Sequence, residues 1–349
     1  MKLSFEPLTV HTRHPFGISY GTSSETRNVL VKLELDGHTG LGEAAPAGYH
    51  GESRKTVMAV LEAIAEKGEK LIGKDPFAIQ HVSTQLDKFI AGHAAAKAAI
   101  EMAMHDLSGK IVGLPTYKML GLAEKSYPRT DFTIGIDNLD VIEKKTEEAL
   151  AAGHKLLKVK MGTSYDREII KKIRSVGKAI PLRVDANGGW TTKQAIEMSK
   201  FLAENGVELI EQPLPKFALV EDFRLVKLGS PIPIYADETI CKSVDVARMA
   251  DAIDGVVVKL AKSGGILEAM RIIATARAHG LGVMFGMMIE TSIGVTAAAQ
   301  LQSLCDHLDL DGALLLRDDP YEGADWQDGY MRLSDAPGLG VTLRKTALT

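Results

Sequence analysis

The sequence predicts an α/β chain built around a parallel barrel of eight strands and seven helices, with a smaller α+β unit ahead of it. Three observations carry that expectation. From about residue 130, short apolar runs recur every 20 to 30 residues, at 130–135, 156–161, 181–185, 207–211, 232–236, 254–259, 281–285 and 308–316. The runs are continuous rather than alternating, as strands buried on both faces require. Amphipathic stretches separate them, at 139–152, 166–179, 191–205, 218–229, 243–252, 265–279 and 292–305, and this regular alternation fits a barrel better than an open sheet.

Ahead of the barrel, 28–35 reads as a strand, Asp36-Gly37 as a hairpin turn, and 40–45 as the returning strand. The returning arm holds a Gly-x-Gly-x-x-Ala string. It follows a hairpin and opens no helix, which argues against a dinucleotide site. Residues 15–26 and 46–53 read as polar, flexible loops. From about 52 to 113 the pattern is helical, and the small residues of 94–109 suit a helix packed closely on its neighbours. The expected units are an α+β domain at 1–122, the barrel at 123–318, and a segment at 319–349. That last segment is expected to return to the first domain through the turn Pro337-Gly338-Leu339-Gly340.

Composition narrows the function classes. Apolar residues make up 45% and charged residues 25%, as in ordinary globular proteins. A net charge of −4 gives no basis for binding nucleic acid or a membrane surface. No uncharged apolar run approaches the roughly 18 residues of a membrane span. The first residues lack a signal-peptide hydrophobic region. Cys241 and Cys305 are too few for a disulfide framework, so a cytoplasmic enzyme with reduced thiols is expected. Assembly into a homo-oligomer is left open.

In a β/α barrel the reacting groups sit at the C-terminal ends of the strands. Read in order, those ends are charged. Lys158 and Lys160 alternate onto one face of the second strand. A like-charged neighbour and burial both pull a lysine down from its usual pKa of about 10.4, towards a base usable near neutrality. Asp185, Glu211 and Asp237 end the next three strands at equal spacings of 26 residues. Carboxylates brought together repel unless a cation sits among them, and oxygen-only ligands suit Mg²⁺ before Mn²⁺ or Ca²⁺. Each acid could instead cap a helix or pair with Arg183 or a lysine. Glu238 is the alternative to Asp237 as a ligand, and Asn187 and Glu238 are placed to support the set. Lys259 ends the sixth strand, across the barrel from Lys160, while Lys262 is expected to reach solvent or a phosphate-like group. On the eighth run, Asp309 and Asp311 share a face by alternation and need a cation.

These residues resemble the enolase superfamily, within it the muconate-lactonizing-enzyme subgroup, and most of all its dipeptide epimerases. The likeness runs through Gly42-Glu43-Ala44, Asp106 to Gly109, Lys158-Val-Lys160, Asp185-Ala-Asn187, Glu211-Gln-Pro213, Asp237-Glu238, Lys259 and the Pro337 turn. It implies a modified TIM barrel, (β/α)7β, under an α+β capping domain, with one Mg²⁺ per subunit. It also implies removal of the proton α to a carboxylate to give a metal-stabilised enediolate. Lys160 and Lys259 would be the acid/base pair, with Lys158 tuning Lys160. Asp309 and Asp311 would hold the ammonium of an L-Ala-X dipeptide, and Thr133 matches a substrate-contact position. The mandelate-racemase branch needs a histidine on the seventh strand, which has none. The alternative within the superfamily is an o-succinylbenzoate synthase or a muconate cycloisomerase. Alanyl-glutamate epimerases place an arginine where Gly21 stands here, which disfavours an acidic X. Tyr20, Tyr49, His50 and Glu52 would then face an apolar or cationic X.

Overall fold

The computed structural model describes residues 1–123 and 127–345. Three antiparallel strands open the chain, β1 (Lys2–Ile18), β2 (Gly21–Leu35) and β3 (His38–Ala44), in that sheet order. Residues 15–26, expected as a loop, instead form the paired tip of the β1–β2 hairpin, with Phe16 opposite Ser23 and Ile18 opposite Gly21. The barrel supplies what a polar tip lacks: Ile136 N donates to Gly17 O at 2.9 Å. The other expected loop contains a short 3₁₀ turn, Gly48–His50, and then Ser53, which caps the helix Arg54–Lys67. The glycines of the Gly-x-Gly string have a packing purpose. A Cβ on Gly40 or Gly42 would collide with the carbonyls of Ala103 and Ala99, so β3 lies directly on the helix Ala94–Val112.

Eight parallel strands follow: β4 (Phe132–Ile134), β5 (Leu157–Lys160), β6 (Leu182–Asp185), β7 (Val207–Glu211), β8 (Ile234–Ala236), β9 (Gly255–Val258), β10 (Gly282–Phe285) and β11 (His307–Leu308). They pair in sequence order, and the seam between β11 and β4 is spanned by a parallel bridge, Thr130 to Leu308. Seven longer helices alternate with them as expected. A short extra helix, Leu260–Ser263, directly follows Lys259. The eighth strand is a correction. It ends at Leu308, and the rest of the 308–316 run turns into a 3₁₀ segment, Gly312–Leu315. Leu314 N donates to Asp311 O and Gly312 N meets Met287 Sδ, so the backbone finds its partners locally rather than in a ladder. Asp309 and Asp311 therefore lie beyond the strand.

Two apolar cores form, one through the barrel and its helices, the other between the three-stranded sheet and the helices that cover it. Buried polar groups join them. Glu43 accepts from Thr291 N and Oγ1, Gly294 N and Asn28 Nδ2, which caps the helix Ser292–Ala299 from the neighbouring sheet. The chain after 319 touches both units. Leu339 N donates to Asp106 Oδ1, and Leu339 and Val341 belong to the barrel core. Residues 124–126, beside the expected domain boundary, and 346–349, the end of the C-terminal segment, lie outside the described residues. Among the described residues no helix is long and apolar enough to cross a membrane.

Glu101 makes the second join, accepting from Leu267 N at 2.7 Å at the start of the helix Ile266–Ala278. Burial pushes its carboxyl up to about 7, against those backbone donors. Because the folded value lies above the unfolded one, ionising Glu101 costs stability; the cost is absent below about 4.5 and complete above about 7. Glu101→Gln keeps an acceptor for Leu267 N. It should stabilise the protein more at pH 8 than at pH 5, by up to about 3 kcal/mol. Urea unfolding at the two pH values measures this, and an equal effect at both would contradict it.

Candidate active site

The C-terminal ends of β5 to β9 converge on a cavity of about 880 Å³ whose wall includes Lys160, Lys259, Asn187, Asp309 and Asp311. Every residue of β5 is buried, and alternation sends Lys158 and Lys160 into the barrel while Leu157 and Val159 pack outward in the main core. Lys160 Nζ lies 2.6 Å from Asp185 Oδ2. Lys259 Nζ lies 2.6 Å from Asp237 Oδ2 and 3.9 Å from Glu211 Oε1. In the sheet order β5 and β9 are four strands apart, which places them on opposite sides of an eight-stranded barrel.

Asp185, Glu211 and Asp237 meet between those lysines. One oxygen from each falls in a cluster whose members all lie within 4.8 Å of one another, and all three residues are buried. Glu238, the alternative ligand by sequence, stays outside that cluster and accepts from Asn187 Nδ2 at 3.1 Å. Asn187 also donates to Asp185, from its backbone N at 2.8 Å and its Nδ2 at 3.1 Å. Its φ of 41° turns the chain back after β6 so that both bonds form. Gln212, at φ 37° after β7, acts on the backbone instead: its Oε1 accepts from Asp237 N at 2.8 Å.

The electrostatics follow from burial and neighbours. Glu211 is pushed up to about 8 by burial and then by Asp185. Asp185 and Asp237 are held below the usual carboxylate range. Burial opposes that, but Lys160 and Lys158 outweigh it at the first, and Lys259 and Lys262 at the second. The donor set is all carboxylate, dry and crowded, and Glu211 Oε1 has no hydrogen-bond partner among the described residues. A hard divalent cation fits such a set.

Lys158 sits below Lys160, fully buried, 2.5 Å from Glu211 Oε2, 2.7 Å from Asp309 Oδ2 and 3.5 Å from Asp185 Oδ2. Burial opposes its charge, yet Asp309 and Glu211 hold its pKa well above the ordinary value, so it is a fixed cation. Thr133 joins the acids at the seam. Its N donates to Asp311 Oδ2 at 2.6 Å, and its Oγ1 lies 3.4 Å from Asp309 Oδ1. Lys158 keeps Asp309 low despite burial, whereas burial and Asp309 push Asp311 up to about 7.

Tyr20 lines the cavity, half exposed, and stacks on Tyr49 with ring centroids 5.0 Å apart. Two other expected substrate contacts are corrected. Glu52 turns away to accept from Ala95 N at 3.1 Å, at the start of the helix Ala94–Val112. His50 lines a separate cavity of about 210 Å³ and accepts from Lys216 Nζ at 2.8 Å; burial and Lys216 hold its pKa down to about 3. Lys262, expected at solvent, is buried with its ammonium 2.6 Å from Asp237 Oδ1 and 2.8 Å from Val257 O. It lies in the short helix Leu260–Ser263, all four residues of which are buried.

Sequence reasoning missed three contributors. Asp131 and Arg183 brace the β4–β11 seam: Arg183 Nη1 donates to Asp131 Oδ2 at 3.0 Å and to Leu308 O at 3.1 Å. The alternation that singles out Thr133 also places Asp131 inward, and that signal was available. Gly286, after β10, leaves room for Lys259, since a Cβ there would lie 3.1 Å from Lys259 Cε.

Comparison with known proteins agrees with this geometry. Residues 5–121 match the mandelate racemase / muconate lactonizing enzyme N-terminal domain, and residues 141–347 match the enolase C-terminal domain-like model. The chain is 40% identical to an L-Ala-D/L-Glu epimerase of Bacteroides thetaiotaomicron, over 98% of this chain and 88% of that one. It is 38% identical to a hydrophobic dipeptide epimerase of Roseobacter litoralis, over 98% and 99%. A dipeptide epimerase of Cytophaga hutchinsonii, solved with Mg and the dipeptide D-Ala-L-Val, superposes with a TM-score of 0.93 at 32% identity, over 98% and 95%. On both domains and over nearly its whole length, this chain belongs to the mandelate racemase / muconate lactonizing enzyme family.

Proposed function

We propose that the protein is a Mg²⁺-dependent dipeptide epimerase that inverts the α-carbon of the C-terminal residue of an L-Ala-X type dipeptide. The observation that carries this reading is Lys160 and Lys259 facing each other across a cluster of three carboxylates, with Asp309 and Asp311 at one end of the cavity. Mg²⁺ held by Asp185, Glu211 and Asp237 supplies positive charge against the negative charge that develops on the substrate carboxylate.

The chain's own residues then divide the work. Asp309 and Asp311 take the substrate ammonium, which orients the dipeptide across the barrel mouth. One lysine removes the α-proton from its face, and the other returns a proton on the opposite face. Lys158 is too deeply paired to exchange protons. It balances Glu211 and Asp309 while its charge faces Lys160. The wall above the lysines, with Phe16, Ile18, Met287, Met288 and Ile289, suits an apolar X. Lys216, whose ammonium reaches His50 Nδ1 rather than a carboxylate, favours a second reading in which X is acidic. The unpaired thiols of Cys241 and Cys305 fit a cytoplasmic protein.

In D₂O with Mg²⁺, L-Ala-X dipeptides should gain α-deuterium and both configurations at the C-terminal residue. Chelation should abolish this and Mg²⁺ restore it; exchange that survives chelation would remove the metal from the reading. Lys160→Ala and Lys259→Ala should each lower epimerisation by about 10² or more, yet each should still exchange the α-proton of one epimer, not the same one. Loss of exchange from both epimers in both variants would contradict a two-base arrangement. Asp311→Asn, at the acid that makes no ion pair with Lys158, separates the epimerase from a lyase of the same family. It should raise KM for a dipeptide about tenfold or more, whereas conversion of a substrate without an ammonium would be unaffected.

A further inference from the structure

The acids assigned to the substrate ammonium stand on a segment that has no ladder of its own. β11 ends at Leu308, and the chain from there to Asp311 is held by β4 and the two residues before it. Asp131 N donates to Leu308 O at 3.1 Å, Leu310 N to Thr130 Oγ1 at 2.7 Å, and Thr133 N to Asp311 Oδ2 at 2.6 Å. Asp309 is held differently. Its N donates away from β4, to Phe285 O at 2.8 Å. Its carboxylate is what meets the β4 side, at Thr133 Oγ1 over a long 3.4 Å and at the carboxyl of Asp131.

Asp131 is fully buried, and its two oxygens have different surroundings. Oδ2 accepts from Arg183 Nη1 at 3.0 Å. Arg183 is itself fixed, by Leu308 O at 3.1 Å and His307 Nδ1 at 2.9 Å. Oδ1 meets no donor among the described residues. The carboxyl within hydrogen-bond reach of Asp131 is that of Asp309. Two carboxyls in contact away from water keep a proton between them, because both cannot ionise at that distance. Lys158, 2.7 Å from Asp309 Oδ2, decides which one is ionised. Asp309 takes the negative charge, and Asp131 keeps the proton. Burial and then the charge of Asp309 push Asp131 well above the usual carboxylate range, against the pull of Arg183 and Lys158.

We propose that Asp131 is a positioning residue for substrate binding: its carboxyl, anchored by Arg183, donates to Asp309 and fixes that carboxylate where it meets the substrate ammonium. The inference rests on the epimerase reading and deepens it. Without Asp131, Asp309 keeps only Lys158 and the long contact to Thr133, and its side chain is free to turn. Asp131→Ala should therefore raise KM for an L-Ala-X dipeptide about tenfold, the worth of a hydrogen bond to a charged group. Its kcat should change less than about twofold, as for a group that acts in binding alone. Mg²⁺ affinity, read by calorimetry, should stay unchanged; a parallel loss of Mg²⁺ binding would mean general disruption of the barrel mouth and overturn the inference. Asp131→Asn is the rescue. Its amide N–H donates to Asp309 and its carbonyl accepts from Arg183, so KM should return to within about threefold of the native value. An Asp131 that is ionised and serves only Arg183 predicts instead that Asn is as damaging as Ala, and that result would overturn the proposal. Infrared spectra decide the matter even where Asp131→Ala does not fold. Near neutrality the native protein should show a protonated-carboxyl stretch that Asp131→Asn lacks, and identical spectra in that region would refute the shared proton. An unchanged KM for Asp131→Ala in an active protein removes this inference alone. A native protein that epimerises no dipeptide removes the epimerase reading, and the binding role with it.

Discussion

Burial of charge is the constraint on which the rest of this structure depends. Lys158, Lys160 and Lys259 and the carboxylates Asp185, Glu211, Asp237 and Asp309 are all removed from water at the mouth of one barrel. An ion taken out of water costs several kcal/mol unless its partners are close and well directed. The barrel meets that cost by alternating signs around its interior. Lysines from β5 and the end of β9 interleave with acids from β6, β7 and β8, and contacts of 2.5 to 2.7 Å link them. Glu211, pushed up to about 8, is where the balance is least complete, and it sits at the centre of the acid cluster. That point is where a divalent cation fits.

The surrounding architecture serves that cluster. Parallel strands in register bring the ends of β5, β6 and β7 level, with Lys160 opposite Asp185 and Asp185 opposite Glu211. Left-handed residues just after β6 and β7 turn the chain so that the amides of Asn187 donate to Asp185 and the side-chain oxygen of Gln212 accepts from the backbone of Asp237. The three-stranded sheet and its helices add no group to the cluster. They close it from above: the β1–β2 tip and the Tyr20–Tyr49 stack form its roof, and Glu43 pins that unit to a barrel helix. The strand ends thereby carry the charged groups, and the hairpin and covering loops form part of the cavity wall above them.

Where the sequence was readable, the signal was a period. Apolar runs at barrel spacing located β4 to β10, and charged residues at the ends of those runs located Lys160, Asp185, Glu211, Asp237 and Lys259. The failures lie where no period applies. Leu308 to Leu316 is apolar enough to continue as a strand, but Gly312 and local hydrogen bonds turn it. Lys262 looked solvent-bound because a lysine past a strand end usually is, and the short helix after Lys259 folds it inward. His50 and Glu52 belong to a covering loop whose direction is decided by what it lands on. Glu52 found the free amides at a helix start, and His50 found Lys216.

By itself, then, the sequence determined the barrel and the order of its charged strand ends, because strand periodicity is a local property of the chain; the reaction class came from its resemblance to a known family. Only the tertiary structure decided which carboxylates form the cluster, with Asp237 inside it and Glu238 beside it. It alone showed that Lys158 is locked by Glu211 and Asp309. Each of these depends on distances between residues remote in the chain, and those are set by packing rather than by local pattern.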